Sequence, residues 1–238
     1  MAKFSIITVC LNAEHTIRRC LESVLSQSYI DYEHIIIDGV SSDRTLDIVK
    51  EYNNVKWISE PDTGIYDAMN KGIQMSNGEY IVFLNSDDEF LPDFLDRTNS
   101  KGDVDYISNA INMIGESQVR VWNPRLPNDI NFFFSMPIPH AGLVVRRLVF
   151  EQMGLFDLHF RIAADFDFVI RLLKAGYKGA ANDKPVLNFY MGGVSNNFKI
   201  VKENNLVREK HFDQEFNLKK AYFLDLLRYL KNNVLKLS

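Results

Sequence analysis

Through the first 90 positions, short apolar runs alternate with stretches whose apolar residues recur at helical spacing. Phe4-Ser5-Ile6-Ile7-Thr8-Val9-Cys10 is a β-rich run, and Ile17, Leu21, Val24 and Leu25 then repeat with the period of a helix that Asn12 is placed to cap. A strand at His34-Ile35-Ile36-Ile37, a helix over 45–52 opened by Ser42 or Asp43, a strand over 55–58 and a helix over 65–75 follow. Asn77-Gly78 turns the chain into Tyr80-Ile81-Val82-Phe83-Leu84, a run without polar alternation, as in a strand buried on both faces of a parallel sheet. The βαβαβαβ order predicts an α/β fold, an open sheet with helices on both faces.

Beyond Pro92 the alternation breaks down. Strand-like pieces at 105–111, 118–122, 141–145 and 185–190 predict a mixed sheet, with helices over 147–153 and 165–175 and a proline-rich passage over 124–139. Residues 192–197 read as a loop, and helices over 199–211 and 218–236 end the chain, with no internal repeat.

Composition narrows this picture. A chain of 238 residues, 46% apolar and 24% charged, has enough core for one large domain and is not a disordered chain. A net charge of −4 offers no electrostatic footprint for nucleic acid. Cys10 and Cys20 lack metal or redox spacing and read as buried thiols in a reducing compartment. With no signal-peptide core and no 18-residue apolar stretch, the expected location is the cytoplasm.

In open parallel sheets ligands bind at the carboxyl ends of the strands, and three such ends here are acidic. They are Asp38-Gly39-Val40-Ser41-Ser42-Asp43, Glu60-Pro61-Asp62-Thr63-Gly64 and Asn85-Ser86-Asp87-Asp88-Glu89. Glycine-rich phosphate loops are missing. A site of carboxylates holds a diphosphate through a divalent cation, and oxygen ligands suit Mg²⁺ or Mn²⁺.

These residues carry a resemblance. Phe4 to Asn12, Asp38-Gly39-x-Ser41-x-Asp43-x-Thr45, Asp62-x-Gly64-Ile65-Tyr66-Asp67-Ala68-Met69-Asn70-Lys71-Gly72 and Leu84-Asn85-Ser86-Asp87-Asp88 resemble, in order, inverting glycosyltransferases of family 2 with the GT-A fold. The resemblance resumes weakly over 154–176. It implies a Rossmann-like mixed sheet and transfer of a sugar from a nucleotide-diphosphate sugar to an acceptor hydroxyl with inversion. A bacterial cell-surface polysaccharide built on a lipid-linked carrier is the context it suggests. Residues 1–212 then form the GT-A domain, a nucleotide-sugar half of about 1–100 and an acceptor half of about 101–212, and 213–238 a basic amphipathic helix.

The resemblance assigns roles. Asp38 accepts a proton from the donor's base, its alternative being a turn carboxylate, and Thr8 touches base or ribose or is a core residue. Asn85-Ser86-Asp87-Asp88 stands at the D-x-D metal motif with Asn85 in place of the first aspartate, so Asp87 is the expected metal ligand and Asn85 and Asp88 ribose or supporting contacts. Asn70 is an expected donor contact, Lys71 pairs with phosphate or is an exposed helix lysine, and Tyr66 and Met69 read as core. Asp165 resembles the late catalytic aspartate, while Asp167 is free to pair with Arg171 at i+4. His140 contacts donor, acceptor or metal, or is a satisfied structural histidine.

Two other classes fit parts of the pattern. A sugar-phosphate nucleotidyltransferase needs a Gly-rich basic first loop, which Asn12-Ala13-Glu14 is not, and a non-catalytic sugar-nucleotide-binding or scaffold protein suits the altered metal motif. Residues 217–238 carry Lys219, Lys220, Arg228, Lys231 and Lys236 against Asp225 alone, with Phe223, Leu226, Leu227, Leu230, Val234 and Leu237 at helical spacing. That pattern predicts a helix on a membrane surface, on its own domain, or on a second copy in a homodimer.

Overall fold

The computed structural model describes residues 2–116, 118–125, 133–192, 198–212 and 216–233. Its centre is a seven-stranded mixed sheet. Strands β1 (Phe4–Cys10), β2 (Tyr32–Asp38), β3 (Val55–Ser59) and β4 (Tyr80–Phe83) are mutually parallel, with β1 between β2 and β4. The chain therefore reverses its direction of winding at β1, and loops after β1, β2 and β4 open into one crevice. Helices α1 (Ile17–Leu25), α2 (Thr45–Val49) and α3 (Ile65–Met75) make the crossovers. Gly72 lets α3 lie on the sheet, because a Cβ there would meet Ile7 at 2.3 Å.

The second half extends the sheet and adds another. After β5 (Glu89–Phe90) and α4 (Phe94–Asn99) come β6 (Tyr106–Asn109), β7 (Ile111–Ile114) and β8 (Val119–Trp122). A 3₁₀ turn, His140–Gly142, leads into β9 (Leu143–Arg146), which runs antiparallel between β4 and β6. Helices α5 (Arg147–Met153) and α6 (Ala164–Lys174) precede β10 (Gly179–Asn182), parallel to β6 at the sheet edge, and β11 (Leu187–Tyr190). The order β5-β11-β7-β8 forms a second, four-stranded sheet. Helices α7 (Lys199–His211) and α8 (Leu218–Asn233) follow.

The core on one face of the large sheet joins Ile7, Ile35, Phe83 and Met69 to a phenylalanine cluster of α5, α6 and their connection. Phe150 stacks on Phe168 with ring centroids 4.8 Å apart, and Phe156 meets both Phe83 and Phe168. Both cysteines are buried free thiols.

Several elements differ from expectation. Thr16, not Asn12, precedes α1, because Asn12 adopts φ 51° and its Oδ1 accepts the Ser42 N–H at 2.9 Å, tying the loop after β1 to the loop after β2. The helix expected over 45–52 ends at Val49. The run over 105–111 splits into β6 and β7, which lie in different sheets. Strands β5 and β10 and helix α4 were not expected. The predicted loop over 192–197 falls, after Gly192, outside the described residues, as do part of the proline-rich passage and the end of the last helix.

Candidate active site

Asp38 ends β2 opposite Ser59 of β3 and is fully buried. Its Oδ2 accepts the Ser41 N–H at 3.0 Å and the Ser59 hydroxyl at 2.6 Å, while Oδ1 takes the Ser41 hydroxyl and the Cys10 thiol. The carboxylate thus organises its own turn. The turn holds Val40 at φ 66°, an unfavourable conformation for a β-branched residue, with its side chain exposed. Gly39 beside it brings the backbone close to Asp62, whose Oδ2 would lie 2.6 Å from a Cβ at that position. Loops after β1, β2 and β3 therefore meet at one point.

The segment after β4 holds the acidic pair. Asp88 is fully buried, accepting the Tyr190 N–H of β11 at 2.9 Å and the Asn85 amide at 3.2 Å. Burial and then the charge of Asp87 push its carboxyl up to about 7, against those hydrogen bonds. Burial also raises Asp87, with Arg19 as the opposing charge. Arg19 of α1 donates to the Asp87 carbonyl at 2.5 Å, and its guanidinium lies 3.9 Å from the centre of the Tyr190 ring.

Asn85 Oδ1 is buried without a partner. An orphaned amide oxygen beside two carboxylates destabilised by burial is a hard-oxygen donor set, and it fits a Mg²⁺ or Mn²⁺ ion that draws its other ligands from phosphate and water. Among the described residues no three His, Cys, Asp or Glu side chains gather into a complete cation cage.

The third part lies on the opening turn of α6. Asp165 Oδ1 accepts the Tyr66 hydroxyl of α3 at 2.9 Å and the Phe166 N–H at 2.8 Å, whereas Oδ2 accepts no bond among the described residues. Burial and then the Asp165 charge push the Tyr66 phenol well up, which keeps it a proton donor. Glu203 of α7 accepts the Ile162 and Ala163 N–H groups at 2.8 and 3.0 Å, fixing the start of α6. Asp167 is fully buried and fully engaged: Arg171 Nε, Lys210 Nζ and His211 Nε2 lie at 2.8, 2.8 and 2.7 Å.

His140 links these parts. Its ring stacks on Phe83, the last residue of β4, at 5.6 Å and meets Phe156 edge-on at 5.7 Å. Both ring nitrogens are buried without a hydrogen-bond partner. Burial lowers its pKa and the nearby Asp165 charge opposes this. Orphaned buried groups cost about 1–3 kcal/mol each, so these nitrogens call for a ligand or a water.

Three further candidates are held by contacts within the protein. Thr8 is fully buried, bonded to His34 Nε2 at 2.9 Å, because position 8 of β1 faces the interior and not the strand end. Asn70 is buried and clamps the Phe156 backbone, giving and receiving hydrogen bonds of 3.0 Å. Lys71 is drawn back to the Pro61 carbonyl at 2.6 Å and Glu60 at 2.9 Å, so it bears on the loop after β3. Sequence reasoning missed Arg19, Tyr190 and Glu203 as parts of the site, and gave Tyr66 a packing role only. None carries a local signal, since their partners lie 68, 102, 41 and 99 positions away.

The family model described as Glycosyl transferase family 2 matches residues 5–133. The chain belongs to this family. A PGL/p-HBAD biosynthesis glycosyltransferase of Mycobacterium bovis is 30% identical over 186 residues, 71% of this chain and 68% of that one. A dolichyl N-acetyl-glucosaminyl phosphate diacetamido-dideoxy-glucuronosyltransferase of Methanococcus voltae is 29% identical over 214 residues, 78% and 66% of the two chains. Among solved structures, Staphylococcus aureus TarS 1–349 in complex with UDP-GlcNAc superposes with a TM-score of 0.71 at 17% identity, over 97% of this chain and 73% of that one. A Pyrobaculum calidifontis mannosyltransferase in complex with GDP-Man and Mn²⁺ gives 0.62 at 17% identity, over 95% and 64%. These likenesses establish the GT-A fold for this glycosyltransferase. Among its described residues no helix is long and apolar enough to cross a membrane.

Proposed function

We propose that this glycosyltransferase moves a sugar from a nucleotide-diphosphate sugar to an acceptor hydroxyl with inversion, and that Asp165 is its general base. The observation that carries the reading is the asymmetry between two neighbouring carboxylates. Asp165 is steadied through one oxygen and keeps the other free to receive a proton, while both oxygens of Asp167 are taken by cations. A single free base suits one displacement at the anomeric carbon by the acceptor oxygen. Residues 1–100 hold the donor in this scheme and 101–212 the acceptor.

Asp87, Asn85 and Asp88 would hold Mg²⁺ or Mn²⁺, which supplies charge neutralisation for the departing nucleoside diphosphate. The chain's own residues do the rest. Arg19 fixes the Asp87 backbone, and the Tyr190 amide fixes Asp88. Tyr66 keeps the Asp165 carboxylate oriented, and His140 offers two unengaged ring nitrogens to donor or acceptor. Asp38 sets the loop against which the base lies. Its four bonds, two to each oxygen, occupy the carboxylate and leave the base contact to neighbouring backbone. The relative named for a dolichyl N-acetyl-glucosaminyl phosphate supports a lipid-linked glycan as acceptor, and cell-surface polysaccharide synthesis in the cytoplasm is the proposed setting.

The test is a thermal-shift screen of nucleotides and nucleotide sugars with Mn²⁺, followed by nucleotide release from the best binder. Release that vanishes in Asp165→Asn, with donor binding kept, is the expected result. Binding without release under every acceptor and metal condition would overturn catalysis in favour of a sugar-nucleotide-binding or scaffold protein.

A further inference from the structure

Helix α8 is attached to the body by the face that its sequence pattern would turn outward. Asp225 is buried against Arg208, itself fully buried, at 2.7 Å, and Ala221 packs beside it without exposure. Asn204 and Arg228 complete the shell of Asp225 at 3.2 and 2.9 Å. The opposite side of the helix carries Phe223, Leu227 and Leu230, which are 57%, 45% and 37% exposed. At about 100° per residue these three fall within one stripe.

What flanks the stripe is of one sign. Lys219 lies about 40° to one side and Lys220 and Lys231 about 60–80° to the other, and all three are exposed, Lys220 at the rim with its ammonium 5.1 Å from the centre of the Phe134 ring. The one acid of α8, Asp225, is turned inward and neutralised. The sequence continues the apolar spacing through Val234 and Leu237 and adds Lys236.

We propose that this face docks on an anionic lipid surface, with Phe223, Leu227 and Leu230 in the interface and Lys219, Lys220 and Lys231 on headgroups. Charge complementarity selects this occupant. A second copy meeting the stripe about a two-fold axis would set lysine flanks against lysine flanks, an arrangement that repels. Three side chains also fall well short of the roughly 800 Å² per partner of a stable dimer. The docking stands on the surface alone. Resting on the proposed function, it further places the enzyme where a lipid-linked acceptor is held.

The experiment is co-sedimentation of the full chain with phosphatidylcholine vesicles containing or lacking phosphatidylglycerol. Two variants accompany it: Phe223→Ser/Leu227→Ser/Leu230→Ser, and Lys219→Glu/Lys220→Glu/Lys231→Glu. All six positions are solvent-facing, and unchanged thermal midpoints show that the fold is kept. Binding to anionic vesicles should exceed binding to neutral ones by about a hundredfold, since each basic residue is worth about fivefold, and both variants should lose it. No binding of the wild-type chain, or binding indifferent to both variants, overturns the proposal. A dimer in light scattering that the serine variant dissolves, without vesicle binding, assigns the face to a second copy instead. Nucleotide release measured without vesicles reports separately on the proposed activity.

Discussion

Tyr66 and Asp165 lie 99 positions apart, and the hydroxyl of the first reaches Oδ1 of the second at 2.9 Å. This contact ties helix α3 to the start of α6 and leaves Oδ2 available. Asp165→Asn should therefore lower turnover by about 10²–10⁴ while the donor Kd moves little. Tyr66→Phe, which removes the hydroxyl shared between Asp165 Oδ1 and the Ile162 carbonyl, should cost about tenfold in kcat with donor KM retained. If Asp167→Asn instead gave a folded protein of normal donor affinity and no turnover, the base would be Asp167.

Removing the cation should be as damaging as removing its ligand. With chelator, or in Asp87→Asn, nucleotide release is expected to fall by orders of magnitude, and the thermal shift given by donor should no longer depend on Mn²⁺. Asn85→Asp adds a charge where the amide oxygen is orphaned. It should lower the melting temperature of the metal-free protein, by repulsion from Asp87 and Asp88, and raise its response to Mn²⁺. Release that is unchanged in Asp87→Asn and in chelator takes the metal out of the mechanism.

Acid should unfold the protein through Asp167. Burial alone would raise this carboxyl, but hydrogen bonds from His211 and Lys210 and the charge of Arg171 bring it down to about 2. A folded value below the unfolded one means the stabilisation is complete above about pH 4 and is lost as pH falls toward 2, a change on the order of 2 kcal/mol. Urea melts between pH 5 and 2 should show this slope, and Asp167→Asn should be less stable at neutral pH and flatter in acid.

The Arg208–Asp225 pair fastens α8. Asp225→Ala leaves a buried guanidinium unpaired and should cost about 3–5 kcal/mol, read from urea denaturation. Replacing both partners, Arg208→Met with Asp225→Leu, should recover much of that loss.

Val40 at φ 66° is a local strain. Val40→Asn, a residue that tolerates the left-handed region, should raise stability by about 1 kcal/mol in the same assay. A loss of stability would mean that the valine side chain makes a compensating contact in its turn.

Much of the fold was legible because the first four strands and three crossover helices are local patterns. The runs at Phe4–Cys10, Ile65–Met75, Arg147–Met153 and Lys199–His211 fold as their spacing predicts. Strand β10 was hidden because Gly-Ala-Ala-Asn has little β-propensity, and pairing with β6 at Tyr106–Asn109 imposes its conformation. Gly179 is needed there because Tyr106 lies over it, with its ring 2.1 Å from where a Cβ would stand. Helix α4 is short and follows closely on Pro92. Within the site, the aspartates declared themselves by standing at strand ends. The surroundings of Asn70 and Thr8 were not legible, because a polar residue facing the interior has the same letter as one facing a crevice and only the contacts with Phe156 and His34 distinguish them.

The acidic segment belongs to both sheets at once. It leaves β4 in the large sheet, passes Asp87 and Asp88, and enters the small sheet as β5, whose Glu89 is gripped by Asn188 at 2.7 Å and by the Tyr190 hydroxyl at 2.9 Å. Strand β11 thus acts as a lever on the carboxylate pair. Any shift of the small sheet that withdraws the Tyr190 amide strips Asp88 of a donor and releases Arg19 from its aromatic seat. The charge balance of the carboxylate pair therefore depends on strand pairing in the small sheet as well as on the loop that carries it.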